Sequence, residues 1–279
     1  MNFRLDRLAT LYVVNPVQCR TSGQRASIPI LMYHSITDRD EAKVHAYYRT
    51  VTSPRVFAQH MECLHNLGYS TISVADAVSL LRREASTRKY AVITFDDGYA
   101  DFYTQAFPAL NRYGFTATVF LPTAYIGKLP VQFKGSDCLT WSEVRELRKH
   151  GMHFGSHTVT HPQLSTLEAS AVKIEIVNSK HTIEDNLGDP VDCFAYPFAF
   201  PEENNPFVQM LRNLLVDSGY QQGVSTRIGT ARRGEDRYFL RRLPMNSLDD
   251  VPLFEAKLQG GYDWLGKVQY ASKLMKTYR

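Results

Sequence analysis

Residues 90–122 read YAVITFDDGYADFYTQAFPALNRYGFTATVFLP, and this stretch decides the fold. Its two short apolar runs, residues 90–95 and 115–121, have the length and composition of buried strands. The amphipathic stretch between them, near residues 100–113, predicts a helix. A strand, a helix and a second strand in this order are typical of a parallel sheet with a right-handed crossover.

The same alternation continues on both sides of this stretch. Further strands are predicted at residues 28–33, 69–72, 152–155, 191–196 and 238–243. Helices are predicted from Pro54, with Ser53 as N-cap, and from the capping box that begins at Thr140. Other helices are expected near residues 74–83, from a Ser165 cap to residue 187, and at 207–216. Seven or eight strands favour an α/β fold with a closed or nearly closed barrel.

A chain of 279 residues can hold one or two domains, and no linker composition separates two halves. Residues 127–138 are interpreted as a long loop within one domain. We therefore expect an N-terminal segment, 1–27, followed by a single domain, 28–279. The apolar run at 8–14 is too short for a signal peptide and is interpreted as a strand or surface segment. This favours a cytoplasmic location, with export as the alternative.

Composition excludes several classes of protein. The hydrophobic share of 44% and the charged share of 22% are ordinary globular values. A formal charge of +4 is too small to indicate a nucleic-acid partner, and no apolar stretch has the ~20 residues that a membrane span needs. The four cysteines are scattered, which indicates isolated thiols rather than disulfides or a zinc knuckle.

Polar residues follow the predicted strands, where parallel α/β proteins carry their working groups. Asp96 and Asp97 come directly after residues 90–95, and the Asp-Gly pair that follows is also a common turn signal. His157 and His161 are four residues apart, as on one helical turn that could chelate a metal, although this spacing alone is weak. One carboxylate with two imidazoles forms a catalytic type of metal site, and a second carboxylate can deprotonate bound water.

His34 ends the first predicted strand. Imidazole titrates near neutral pH, so this side chain could donate a proton to a leaving group. The alternative is a histidine with a purely structural role.

At Thr94-Phe95-Asp96-Asp97-Gly98 and at residues 156–162, SHTVTHP, the chain resembles the polysaccharide deacetylases, carbohydrate esterase family 4, which share the NodB-homology domain. The similarity covers about residues 29–244. It implies a distorted (β/α) barrel and metal-dependent removal of acetyl groups from N-acetylated sugars. It also implies that Asp96 is the general base and that Asp97, His157 and His161 bind a divalent metal, with zinc as the first choice.

Residues 194–199, FAYPFA, are similar to the third signature of this family. The resemblance implies that the Phe198 N–H binds the oxyanion, and that Tyr196 and Pro197 belong to the same substrate-binding segment. Many members carry an Arg where this chain has Ala195. Arg241 or Arg242 are the candidates to replace it, but ordinary surface charge is the preferred interpretation of both.

The chain differs from the usual family pattern in two further ways, in the third signature and in the position of the histidine expected to act as the acid. Ala199 replaces the usual Gly, and no late Leu-x-His signature is present. The early Tyr33-His34 pair is similar to a subgroup, including biofilm poly-N-acetylglucosamine deacetylases, in which the catalytic His precedes the Asp-Asp motif. This subgroup implies that His34 is the acid.

The expected function is metal-dependent hydrolysis of N-acetyl groups on an amino-sugar polysaccharide or glycan, with release of acetate. The alternatives are an O-acetyl carbohydrate esterase, a non-haem iron oxygenase, which also uses two His and a carboxylate, and a catalytically impaired carbohydrate-binding protein. The expected partner is the glycan substrate. The sequence leaves the polymer, the metal and the oligomeric state open.

Overall fold

Seven parallel strands close into a barrel in a computed structural model that describes residues 4–14, 27–83 and 88–277. The eight strands of the parallel sheet are β1 (Ile30–Tyr33), β2 (Tyr69–Thr71), β3 (Lys89–Phe95), β4 (Thr118–Leu121), β5 (His153–Ser156), β6 (Cys193–Ala195), β7 (Gln222–Ile228) and β8 (Leu240–Pro244). Around the ring β1 is followed by β3 to β8 in chain order, and β8 pairs with β1 again. β2 lies outside the ring against β3. The prediction of a barrel with seven or eight parallel strands is confirmed.

Nine α-helices and several shorter elements complete the described part of the chain. The helices are α1 (Leu5–Ala9), α2 (Pro54–Asn66), α3 (Val74–Leu81), α4 (Phe107–Arg112), α5 (Trp141–Lys149), α6 (Ala169–Leu187), α7 (Asn205–Asp217), α8 (Val251–Leu258) and α9 (Trp264–Thr277). Thr10–Val14 and Phe102–Ala106 are π-helical, and Ala46–Tyr48, Thr123–Tyr125 and Leu164–Thr166 are 3₁₀ turns. Short strand pairs join Ser27–Ile28 to Ala231–Arg232, Ser35–Ile36 to Val51–Thr52, and Gln132–Phe133 to Ser136–Asp137.

The interior of the barrel is apolar at the amino end of its strands. Ile30, Val92, Phe120 and Val224 pack there in one buried cluster with the apolar face of α3. Neighbouring residues on the same strands, such as Leu31 and Ile93, belong to the larger cluster outside the ring. This alternation follows from the two-residue period of a strand. Because α3 covers the amino end, the carboxyl ends of the strands form the open end.

Several local predictions need correction. Residues 8–14 are helical rather than a strand, and Arg4 beside them pairs with the buried carboxylate of Asp249 at 2.9 Å. Ser165 does not cap the long helix, because α6 begins at Ala169 after Glu168. The predicted loop at 127–138 contains a β-hairpin. The predicted helix at 100–113 is split into a π-helical part and α4.

The cysteine prediction can be checked at three positions. Cys63, Cys138 and Cys193 are free and buried, as expected for isolated thiols, whereas Cys19 lies outside the described residues. In the described ranges no helix combines the length and the apolar composition of a membrane span.

We expect Gly266→Ala to destabilise the fold. A Cβ at Gly266 of α9 would lie 2.3 Å from the carbonyl oxygen of Ile228 in β7. Alanine normally stabilises a helix interior relative to glycine, but this overlap is with backbone and forces α9 away from the barrel. The free energy of unfolding from urea titration should fall by about 1–3 kcal/mol. The exposed Lys267→Ala in the same helix should stay near wild type, and a G266A protein at least as stable as wild type would contradict this packing.

Candidate active site

The residues predicted to bind the metal, the substrate or a proton lie at the carboxyl ends of the barrel strands. His34 directly follows β1, the two aspartates follow β3, and His157 follows β5. Phe198 lies just beyond β6, and Arg242 lies within β8. Because parallel strands end at the same rim, residues far apart in the chain meet there.

Three side chains converge on one point at this rim. Nε2 of His161 lies 3.1 Å from Oδ1 of Asp97, and Nε2 of His157 lies 3.6 Å from the same oxygen. One ligand atom from each of Asp97, His157 and His161 lies within 4.8 Å of the others, and all three residues are buried. Oδ1 of Asp97 has no hydrogen-bond partner of acceptable geometry among the described residues. This donor set fits a divalent cation with further positions left for water or substrate.

His157 is oriented by the strand beside it. Its Nδ1 lies 2.8 Å from the carbonyl oxygen of Ala195 in β6, so Nδ1 carries the proton and Nε2 presents a lone pair. Burial lowers the pKa of His157 to about 4, which keeps the ring neutral at pH 7. Burial alone would raise the pKa of Asp97, but the close approach of the His161 ring and the neighbouring groups His34, His157 and Lys134 outweigh it and hold that pKa well below its usual range. His157 and Asp97 are therefore in their metal-binding protonation states.

The segment that carries the two histidines is not a helical turn, contrary to the sequence prediction. Thr158 and His161 have positive φ angles of 69° and 56°, so the chain turns sharply between the two rings. Glu175 of α6 accepts hydrogen bonds from the backbone N–H of Val159 at 2.8 Å and of Thr160 at 2.9 Å. This carboxylate holds the loop to α6, and the sequence contained no signal for its role.

Asp96 forms a buried, bidentate ion pair with Arg242. Nη1 and Nη2 of Arg242 donate to the two carboxylate oxygens of Asp96 at 2.6 and 2.7 Å. The guanidinium also donates to Thr94 Oγ1 at 3.2 Å and, through Nε, to the Ser225 carbonyl at 2.9 Å. Burial would raise the pKa of Asp96, but the Arg242 charge dominates and lowers it.

The interpretation of both arginines as surface charge is therefore wrong for Arg242, whose side chain is completely buried. Arg241, the next residue in β8, has its side chain 30% exposed and pairs with Glu235 at 3.3 Å. The two differ because successive residues of a strand face opposite sides.

His34 lies beside the carboxylate of Asp96. Its Nε2 is 4.0 Å from Oδ2 of Asp96, and Nε2 of His157 is also 4.0 Å from that oxygen. Nδ1 of His34 is buried and has no partner among the described residues. Burial lowers the pKa of His34. Oδ2 of Asp96 therefore lies 4.0 Å from both the early histidine and one of the candidate metal ligands.

The loop after β6 exposes Phe198 and buries Tyr196. Phe198 has φ of 60°, and the residue is 47% exposed. The centre of its ring lies 4.7 Å from that of His161, and its carbonyl oxygen accepts a hydrogen bond from the Thr226 hydroxyl at 2.8 Å. Its N–H has no acceptor among the described residues. The Tyr196 side chain is buried against Phe200, and its N–H donates to Val224. Pro197 is buried and has no N–H, so Phe198 carries the first free amide after Tyr196.

Backbone strain is concentrated at this rim. Five non-glycine residues in the described ranges have positive φ, and they are Asp97, Lys134, Thr158, His161 and Phe198. Lys134 was not predicted, yet its Nζ lies 3.4 Å from Oδ2 of Asp97. Such conformations cost free energy and are found mostly where a site requires them.

A family model described as polysaccharide deacetylase matches residues 83–220. The putative polysaccharide deacetylase YxkH of Bacillus subtilis is 32% identical over 220 residues, which cover 78% of this chain and 71% of that protein. The poly-beta-1,6-N-acetyl-D-glucosamine N-deacetylase of Escherichia coli K12 is 31% identical over 139 residues, 46% of this chain and 20% of that protein. The structure of Streptococcus pyogenes deacetylase PplD in complex with acetate superimposes with a TM-score of 0.72 at 25% identity, over 84% of this chain and 99% of that one.

We expect Arg242→Met to destabilise the protein strongly, because it leaves the Asp96 carboxylate buried without a counter-charge. Loss of one partner of a buried pair typically costs about 3–5 kcal/mol in the free energy of unfolding. In urea denaturation, R242M should lose stability of this order, and the double variant D96N/R242M should regain a large part of it. Arg241→Met, in the neighbouring residue, is the control. Equal losses in R241M and R242M would contradict the importance of the buried pair.

Proposed function

Because the chain belongs to the polysaccharide deacetylase family, we propose that it is a metal-dependent enzyme that hydrolyses N-acetyl groups on an amino-sugar polysaccharide and releases acetate. One observation carries the proposal. A candidate cation site, formed by Asp97, His157 and His161, lies beside a second buried carboxylate, Asp96, which is not one of its three residues. A ligand set and a separate base are what hydrolysis by an activated water requires.

A divalent cation bound there, with zinc as the first choice, supplies a Lewis acid that polarises the acetyl carbonyl and acidifies a water molecule. Asp96 is the general base that takes the proton of this water. Its bidentate ion pair with Arg242 keeps the carboxylate ionised and fixes its orientation. Arg242 thus supplies from β8 the guanidinium that many family members place at the position of Ala195.

Two further groups complete the proposed reaction. The water oxygen bonds to the acetyl carbon, and the free N–H of Phe198 donates to the oxyanion that forms on the carbonyl oxygen. The carbon–nitrogen bond then breaks, and His34 donates a proton to the leaving sugar amine. His34 must be protonated for this step although burial lowers its pKa, and the neighbouring carboxylates of Asp96 and Asp97 favour that form. Nε2 of His34 lies 4.0 Å from Oδ2 of Asp96, and this position next to the proposed base supports the role.

An amino-sugar polymer is the proposed substrate. The Escherichia coli relative is named for an enzyme that acts on such a polymer, and the early histidine is shared with that subgroup by resemblance. The absence of the family Arg at Ala195 had kept a catalytically impaired binding protein open. The replacement of the usual Gly by Ala199 was a second reason for it. The Arg242–Asp96 pair answers the first reason, because the base has its counter-charge.

The division of roles can be tested with Asp96→Asn and His157→Ala. D96N should lose about 10²–10⁴-fold in acetate release from N-acetylglucosamine oligomers, because it removes the base, while it still binds zinc. H157A should lose both activity and zinc, measured as metal content after dialysis. If the two variants lose zinc to the same extent, Asp96 is a ligand rather than a base. An acetylated xylan assayed in parallel separates the O-acetyl esterase alternative.

The role of His34 can be tested through the leaving group. An amine must be protonated to leave, whereas 4-nitrophenolate leaves without a proton. His34→Ala should therefore lose about 10²–10⁴-fold in kcat on N-acetylated oligomers, but much less on 4-nitrophenyl acetate. Asp96→Asn is the control, because loss of the base slows both substrates. Equal losses on both substrates in H34A would contradict the acid role.

A further inference from the structure

A β-hairpin covers the candidate metal site, and it is attached to the loop that carries Asp97. Its strands are Gln132–Phe133 and Ser136–Asp137. The Ala100 N–H donates to Asp137 at 2.9 Å, and Leu139 donates to Gly98 at 2.9 Å. Any movement of the aspartate loop therefore involves the hairpin.

Lys134, at the turn of this hairpin, points back to the metal-binding carboxylate. Its Nζ lies 3.4 Å from Oδ2 of Asp97, while Oδ1 of the same carboxylate faces His157 and His161. The ammonium also lies 4.5 Å from the ring centre of Phe133 and 5.5 Å from that of Phe198. Phe133 in turn lies 5.3 Å from the ring of His161. The Lys134 side chain is 46% exposed, so burial does not force the ammonium into these contacts.

The backbone at the turn supports a role for this side chain. Lys134 and Gly135 have φ of 50° and 79°, and a two-residue turn of this kind favours Asn or Asp before the glycine. A lysine gives no such local advantage at positive φ. The strained position is therefore explained by what the ammonium contacts rather than by the requirements of the turn.

We propose that Lys134 is a positioning residue for the metal site, which holds Oδ2 of Asp97 so that Oδ1 alone is presented beside the two histidines. The inference rests on the proposed function, since it assumes that Asp97 is a ligand. Hydrogen bonds to the outer oxygen of a ligating carboxylate fix its orientation, and their loss typically lowers metal affinity about 10–100-fold. Lys134 thus does for Asp97 what the Ala195 carbonyl does for His157.

Simple electrostatics predicts the opposite effect of Lys134 on metal affinity. An ammonium close to a cation repels it, so a lysine without a positioning role would weaken metal binding. Removal of its charge would then tighten binding. Metal affinity therefore distinguishes the two accounts without reference to catalysis.

The test compares the wild-type chain of 279 residues with Lys134→Met, Lys134→Arg and Lys128→Met. Zn²⁺ affinity is measured on the metal-free proteins by competition with a chromophoric chelator. K134M should bind Zn²⁺ about 10–100-fold more weakly, K134R should recover most of the affinity, and K128M, an exposed lysine outside the hairpin, should match wild type. Thermal unfolding of the metal-free forms checks that all four are folded.

Three other outcomes would contradict the inference, and the third would also contradict the proposed function. Equal or tighter Zn²⁺ binding by K134M, with wild type binding normally, overturns the positioning role and leaves the proposed function intact. Weak binding by both K134M and K134R shows that the packing of the lysine, not its charge, matters, and also overturns the inference. If folded wild type does not bind Zn²⁺, the metal site of the proposed function and this inference both fail.

Discussion

The ion pair between Arg242 and Asp96 depends on closure of the barrel. Arg242 belongs to β8 and Asp96 follows β3, and these strands are neighbours only through β1, which pairs with both. The guanidinium therefore reaches across β1 to the carboxylate, and the Thr94 hydroxyl, which donates to Leu31 of β1, lies beside the same contact. An open sheet with the same strands would leave both charges without a partner.

Burial of this ion pair has a cost in free energy as well as a chemical effect on Asp96. Removing two charges from water is costly unless the geometry is good and the remaining donors are satisfied. Arg242 meets this condition, since its nitrogens reach both oxygens of Asp96, the Thr94 hydroxyl and the Ser225 carbonyl. The carboxylate is thereby kept ionised in a place where burial alone would favour its neutral form. The same contact that stabilises the closed barrel thus prepares Asp96 to accept a proton.

The barrel and the convergence of polar groups could be predicted from local sequence. Apolar runs followed by Asp96, His157 or Phe198 mark strand ends, and parallel strands bring such ends to one rim. β7 was missed because its sequence, QGVSTRI, mixes polar and apolar residues without a regular period. The histidine spacing of four was read as helical, whereas the positive φ of Thr158 and His161 makes a loop.

Other parts of the site depend on information that local patterns do not contain. Whether Arg241 or Arg242 faces the interior is decided by strand register, and a shift of one residue exchanges them. Glu175 and Lys134 act on loops distant in sequence, through contacts that exist only after α6 and the hairpin are in place. The sequence offers both arginines of this strand as replacements for the family Arg, and only the three-dimensional structure shows that Arg242 pairs with Asp96.

The base and the metal ligands are supported in different ways, and this difference has a consequence for the apoprotein. Asp96 is fixed by regular strands and a buried guanidinium, so its geometry is established by folding itself. The ligands lie on loops with strained backbone at Asp97, Thr158 and His161, which are restrained from outside by Glu175 and the hairpin. Strain of this kind persists only where surrounding contacts enforce it. A bound cation adds three more contacts to these loops, so metal binding should order the ligand loops far more than it orders the base.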